Sequence, residues 1–217
     1  MKHRFFLLFL VLAAQAYAQY SVGYYCGNNA AYPPSAIDYK CLTHIAHAFI
    51  NAGKDGSISW DPRFSCPELI KTAHANGVKV VVSLGGWGND SAFTPITSNI
   101  QARKKFIKSI VNFCKKYGYD GLDIDWEYPK SSDRKNFVSL VAELRSAFDS
   151  SGIEVIAMAI PSSDFHEGFD VAALKQYVTW FGVMTYDFTG SLDTVAYHNS
   201  PLYSSSRQAG SWDASMK

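Results

Sequence analysis

Six short apolar runs, each followed by a stretch of helical periodicity, constrain this chain more than any other feature. They cover residues 20–25, 44–49, 78–84, 121–127, 154–160 and 181–187. Most are apolar nearly throughout, as strands are when helices cover one face and a core fills the other. Between them, Ile107, Ile110, Val111 and Cys114 recur at i, i+3, i+4 and i+7, with Lys104, Lys105, Lys108 and Lys115 on the opposite side. Phe137, Leu140, Val141, Leu144 and Phe148 repeat that pattern. Residues 66–75 predict a shorter helix closed by Gly77, and 170–178 a further one. The spacing is that of successive βα units, which predicts an α/β chain with a parallel sheet. A doubly wound sheet and a (β/α)8 barrel share this pattern, but no Gly-x-Gly-x-x-Gly loop follows the first run, which weakens the dinucleotide-binding version. Eight barrel strands typically need about 250 residues. With six runs in 217 residues, the expectation is an incomplete (β/α)8 TIM barrel whose last strands are missing. Residues 211–217 read as the start of a helix.

The first residues read as a processing signal. Lys2, His3 and Arg4 precede an apolar run from Phe5 to Ala14, and Ala16-Tyr17-Ala18 supplies a small-x-small cleavage pattern. A signal peptide over 1–18 and a secreted, extracellular mature chain from Gln19 are therefore expected, with the partial barrel over 19–217. No run is long enough to span a bilayer. Twenty basic residues against nineteen acidic ones leave a formal charge of +1, which argues against nucleic acid or an anionic membrane as the partner. Cys26, Cys41, Cys66 and Cys114 would meet an oxidising compartment, and a Cys26–Cys41 disulfide is expected because the two flank the gap between the first two runs. Their spacing resembles no zinc site, so no metal or other cofactor is expected. Asn89-Asp90-Ser91 forms a glycosylation sequon, expected to be unoccupied because its loop should lie near the mouth of the site. His44 and His47 are read as structural.

The fourth run carries the chemistry. In Asp120-Gly121-Leu122-Asp123-Ile124-Asp125-Trp126-Glu127, three carboxylates sit at i, i+2 and i+4. A strand puts them on one face, successive Cα atoms about 6.5–7 Å apart, and turns Leu122, Ile124 and Trp126 to the other. Carboxylates crowded on an inner face raise one another's pKa, which suits general-acid work. Glu127, outermost and at the C-terminal end of its run, is the expected proton donor, because barrel enzymes place their chemistry at that end. A calcium loop would want glycine where Tyr128-Pro129 follows.

This stretch resembles the D-x-x-D-x-D-x-E signature of family 18 glycoside hydrolases, the chitinase family. Ser83-Leu84-Gly85-Gly86, followed by Trp87, resembles that family's S-x-G-G strand, and Met184-Thr185-Tyr186-Asp187 its M-x-Y-D strand. Tyr24 and Phe49 match aromatics of its first two strands, and His198-Asn199-Ser200-Pro201-Leu202 resembles the stretch after strand six. The match runs in order from about Tyr20 to the last residue.

The resemblance implies endo-hydrolysis of β-1,4-linked N-acetylglucosamine polymers, by a monomer acting on chitin or chito-oligosaccharides. It implies a retaining, substrate-assisted reaction with Glu127 as acid, Asp125 holding the acetamido N–H, Asp123 sharing a proton with Asp125, and Tyr186 orienting the acetamido carbonyl. Asp120 and Ser83 would support these groups. Tyr24, Phe49, Gly86, Trp87, Met184 and Asp187 would line the substrate cleft. A sugar-binding lectin without hydrolysis is the alternative from another class, disfavoured because Glu127 is kept. An endo-β-N-acetylglucosaminidase shares the carboxylate signature. The chain on its own is expected to be poorly stable and weakly active.

Overall fold

The computed structural model describes residues 20–27, 31–162, 167–189 and 198–203. The expected signal segment and the 211–217 stretch lie outside them. Every one of the six apolar runs contributes a strand: β1 Val22–Cys26, β2 His44–Ala52, β4 Lys79–Gly85, β5 Gly121–Asp125, β6 Val155–Pro161 and β7 Trp180–Met184. They pair in parallel in the order β1-β2-β4-β5-β6-β7. The short β3, Ile58–Ser59, is an addition. It folds back antiparallel on the end of β2, through Asn51–Ser59 and Ala52–Ile58. At two residues it is too short for a period-two pattern to show in the sequence.

Four helices beside the strands, α1 Pro67–Ala75, α3 Ile100–Tyr117, α4 Arg134–Asp149 and α5 Val171–Leu174, occupy the predicted stretches. Asn99 caps α3 by accepting from the N–H groups of Gln101 and Ala102, and Gly118 ends it in the left-handed region at φ 80°. Helix α2, Phe93–Ser98, has six residues and was not expected. It buries Phe93 and Ile96.

Strand alternation divides the interior in two. Ile45, Val80, Val82, Leu84, Leu122, Ile124, Ile156 and Met158 face outward into one large core with Leu69, Phe106, Ile110, Phe137, Leu140, Leu144 and Phe148 from the helices. Ala46, Val81, Val155 and Ala157 form a second, smaller cluster on the inner face, with Val22 and Trp180 packed against it. The Trp180 ring lies 4.6 Å from that of His44 and 4.9 Å from that of Tyr20. Side chains from the two edges of the sheet therefore meet at its N-terminal end, which a flat sheet does not allow. The sheet is curled: six strands of a (β/α)8 barrel, with helices outside.

His44 and His47 are structural. His47 is fully buried, bonded through Nδ1 to the Tyr119 hydroxyl and through Nε2 to the Gly27 carbonyl, and stacked on Phe64 at 4.0 Å. Burial pushes its pKa down to about 4, so the ring is neutral near pH 7. Among the described residues no helix is long and apolar enough to cross a membrane.

The expected Cys26–Cys41 bridge is overturned, and all four cysteines are free. Cys26 ends β1, whereas Cys41 lies beside its start, where its carbonyl accepts from the Ser21 hydroxyl at 2.6 Å. Four strand steps separate those ends by about 13 Å, and a disulfide needs Cα atoms within about 7 Å. In a parallel sheet the end of one strand and the start of the next lie at opposite ends, which proximity along the chain conceals. Cys66 and Cys114 are buried in the outer core.

Replacing Cys26 and Cys41 together by serine is expected to shift stability by less than about 0.5 kcal/mol, since both are exposed and unbridged. Phe137→Ala is expected to cost about 3–5 kcal/mol, because this fully buried ring supports Trp126 beneath the carboxylate strand. Denaturant unfolding measures both.

Candidate active site

Strand β5 is held by opposite kinds of contact on its two faces. Leu122 and Ile124 are buried against the helices, and Trp126, just past the strand, continues that face at 2 % exposure. The Trp126 ring stacks on Phe93 at 5.0 Å and meets the edge of Phe137 at 5.1 Å. Asp123 and Asp125 point the other way, into the curl of the sheet. In register, Asp123 lies beside Ser83 on one side and Ala157 on the other, and Asp125 beside Gly85.

Asp123, at 2 % exposure, takes its hydrogen bonds from two other strands. Its Oδ2 accepts from the Ser83 hydroxyl at 2.7 Å and the Tyr24 hydroxyl at 2.8 Å. Burial raises its pKa, and the two hydroxyl donors oppose the rise. Asp125 is buried without such help, and its Oδ1 has no hydrogen-bond partner. Burial, then the charges of Asp123 and Glu127, push it up to about 7. Two buried carboxyls this close resist double ionisation, and they titrate as a coupled pair.

The regular strand ends at Asp125 rather than Glu127. Glu127 sits in the bend beyond, half-buried. Its pKa is raised, first by burial and then by Asp187, while a hydrogen bond from the Tyr128 hydroxyl acts in the opposite direction. Like charge therefore bears on Glu127 from Asp187 on the other side of the site, and Glu127 and Asp125 also repel each other along the strand.

The surrounding candidates divide into those brought to this cluster and those kept from it. Tyr186 faces it: after burial, Asp125 and Glu127 are the main causes that raise its pKa. Asp187 adopts φ 57° and accepts from the Asn199 amide at 2.9 Å, and the Phe188 N–H donates to the Asn199 carbonyl. The 198–200 stretch is thereby tied to the end of β7. Met184 closes β7 opposite Pro161, on the inward side by alternation with Trp180 and Gly182. Gly85 and Gly86 have φ 109° and 81°. A side chain on Gly85 would strike the Asp125 carbonyl at 2.2 Å, and one on Gly86 would press on the Phe49 ring at 3.2 Å. The Gly86 N–H donates to that same Asp125 carbonyl at 2.9 Å. Phe49 thus packs over the glycine turn. Trp87 is 79 % exposed and meets the edge of Tyr128 at 6.5 Å. Asp120 lies at the opposite end of the strand, where its Oδ2 accepts from the Val80 N–H at 2.7 Å and pairs with His74 Nε2 at 2.7 Å. It braces β5 against β4 and α1 and does not reach the cleft.

The model of the family described as "Glycosyl hydrolases family 18" matches residues 21–217. The chain belongs to that family. It is 34% identical over 201 residues to "Probable chitinase 2" of Drosophila melanogaster, covering 82% of this chain and 41% of that protein. It is 34% identical over 226 residues to the "Endochitinase" of Manduca sexta, covering 91% of this chain and 40% of the relative. Among solved structures, catalytic domain 2 of an Ostrinia furnacalis Group II chitinase superposes with a TM-score of 0.79 at 30% identity, covering 89% of this chain and 56% of that one. The chain therefore spans well under two thirds of the relatives it matches.

Sequence reasoning placed Tyr24 among residues that line the cleft, and its hydroxyl bond to Asp123 was not foreseen. The signal was available: Tyr24 stands inward on β1 as Asp123 does on β5, but only a curled sheet lets them meet.

Asp125 gives a stability prediction. Its folded pKa lies above the ordinary carboxylate value of 3.8, so between about pH 4 and 7 the native state holds a proton the unfolded chain has released. Its contribution to stability is full below pH 4 and is lost as the pH rises through 7. Asp125→Asn is expected to match the parent at pH 4 and to exceed it by on the order of 2 kcal/mol at pH 8. Urea unfolding at the two pH values measures this, and a pH-independent difference would contradict it.

Proposed function

We propose that this protein cleaves β-1,4-linked N-acetylglucosamine polymers with retention of configuration, using the substrate's own acetamido group as nucleophile. The supporting observation is Asp125, a buried carboxyl whose Oδ1 has no partner, between an Asp123 whose Oδ2 takes two hydroxyl donors and a half-buried Glu127. A carboxyl so placed suits an acceptor for an N–H brought by the substrate, and an N-acetyl group supplies one. A mutant form of the Ostrinia furnacalis domain is described in complex with penta-N-acetylchitooctaose, which supports the same class of substrate here.

In this reading Glu127, whose proton affinity is raised by burial and by Asp187, delivers its proton to the glycosidic oxygen as the C1–O bond breaks. The acetamido carbonyl oxygen attacks C1 and forms a cyclic oxazolinium. Asp125 accepts from the acetamido N–H and balances the positive charge of that ring. Tyr186 donates to the carbonyl oxygen and fixes its approach to C1. Glu127, now a carboxylate, takes a proton from the water that opens the ring from the same face as the departed leaving group. Two displacements give net retention. Ser83 and Tyr24 hold Asp123 in place, and Trp87, Phe49, Met184 and Asp187 border the sugar. Glu127 is the group a sugar-binding lectin would not need.

In the full-length protein, Glu127→Gln is expected to lower hydrolysis of tetra-N-acetylchitotetraose by about 10²–10⁴-fold while binding, read by calorimetry, stays within a few-fold. Reducing-end release measures the first, and proton NMR of fresh product should show the β anomer. A variant that still turns over near the parent rate refutes Glu127 as donor. A parent that binds the oligomer without cutting it would establish the lectin instead.

A further inference from the structure

Tyr186 stands past the end of the sheet, yet the work proposed for it needs a fixed hydroxyl. The β6–β7 ladder has its last rung at Pro161–Met184, and β7 pairs with β6 alone among the described strands. Two residues further on, Tyr186 is half exposed. Chain with little burial and no ladder is where a fold opens most readily. The 198–200 stretch takes over from the sheet at this point. Immediately before Tyr186, the Thr185 carbonyl accepts from the Ser200 hydroxyl at 2.5 Å. Immediately after it, Asp187 Oδ1 accepts from the Asn199 amide at 2.9 Å, and the Phe188 N–H donates to the Asn199 carbonyl at 3.0 Å. The Thr189 hydroxyl then donates to the His198 carbonyl at 3.0 Å. These bonds bracket the tyrosine on both sides.

We propose that Asn199, assisted by Ser200, is the positioning residue for Tyr186: its bonds to Asp187 and Phe188 fix the backbone that carries the tyrosine and so aim the hydroxyl at the acetamido carbonyl. This rests on the substrate-assisted reading of the site and deepens it by naming what places the tyrosine. Asn199 grips two successive residues, one through its side chain and one through its carbonyl. The first of them, Asp187, has φ 57°, in the left-handed region that residues other than glycine seldom adopt. A bond to its side chain and a bond from the next N–H hold it there. His198, Asn199 and Ser200 are all exposed, so Asn199 and Ser200 act on the β7 exit through polar bonds and not through core packing. The tyrosine hydroxyl sits at the end of a long lever, and a misplacement of about 1 Å is enough to cost a reaction about 100-fold.

The test is a double-mutant cycle in the full-length protein, with Asn199→Ala and Tyr186→Phe made singly and together and assayed on tetra-N-acetylchitotetraose. Asn199→Ala is expected to lower kcat about tenfold, and by no more than Tyr186→Phe does, with KM within about twofold. In the Tyr186→Phe background the same change should lower kcat less than about twofold, because the hydroxyl it positions is gone. Ser200→Ala should act in the same direction through Thr185, and it supplies the same cycle should Asn199→Ala fail to fold. Losses that multiply in the cycle overturn the proposal, since a structural role would be felt equally with or without the hydroxyl. An unchanged kcat in Asn199→Ala overturns it too, as does a rise in KM alone, which would make the stretch only a wall of the cleft. Two controls are read first. A parent that does not hydrolyse the oligomer defeats the hydrolase reading, and a fully active Tyr186→Phe defeats the role given to the tyrosine, so either failure is distinct from a failed cycle.

Discussion

A carboxylate enclosed by a sheet is tolerable only if something donates to it, and Asp123 takes its donors from β1 and β4. Both Tyr24 and Ser83 bond one oxygen, Oδ2. Tyr24 comes from a strand that is not adjacent to β5 in the sheet order, so the bond reaches across the interior and requires the curl. The same curl lets Trp180 touch Tyr20 and His44 at the opposite end. One geometric property, closure of the sheet toward itself, thus both fills the lower interior with apolar groups and satisfies the buried acid above them. The division runs along single strands: Val81 then Ser83 on β4, and Gly121 then Asp123 then Asp125 on β5. Stability is supplied at the strand starts and chemistry at their ends.

Much of this was legible before any coordinates. Period-two alternation in residues 121–127 assigned Trp126 to the helix side and the aspartates to the interior, and both hold, because alternation is a local property of extended backbone. What alternation cannot report is where a strand stops. The regular ladder ends at Asp125, and Asp187 from across the site adds a like charge near Glu127 that no pattern along the strand announces. The Cys26–Cys41 error has the same origin at larger scale: residues adjacent in a gap of sequence lie at opposite ends of a parallel pair. Tyr24 and Asp123 are ninety-nine positions apart, and no local pattern links them. The short β3 and α2 carried too few residues to establish a period.

The three carboxyls form a gradient along one strand and its exit. Each alternate residue advances the side chain about 6.6 Å toward the rim. Asp123 is enclosed and doubly donated to, Asp125 is enclosed and lacks a partner on Oδ1, and Glu127 is half in solvent. Their proton affinities follow from this order and not from residue type. Enclosure raises Asp123 while its donors restrain the rise, enclosure without donors raises Asp125 to about 7, and partial exposure leaves Glu127 raised but able to exchange with solvent. The innermost group is fixed by its donors, the middle one keeps an open acceptor on Oδ1, and the outermost is the one of the three with access to solvent.

That ordering also explains why the glycine pair must stand where it does. Asp125 lies beside Gly85 in register, and a Cβ there would drive into the Asp125 carbonyl. The positive φ of both glycines turns the chain sharply so that the Gly86 N–H reaches that carbonyl. A backbone bond therefore secures the main chain of Asp125 while its Oδ1 stays without a partner. A residue that must be held in place and still offer an unoccupied acceptor can only be held through its backbone. Side-chain donors on Asp125, of the kind Asp123 receives, would have lowered its pKa and filled the acceptor position that the proposed mechanism assigns to an incoming N–H.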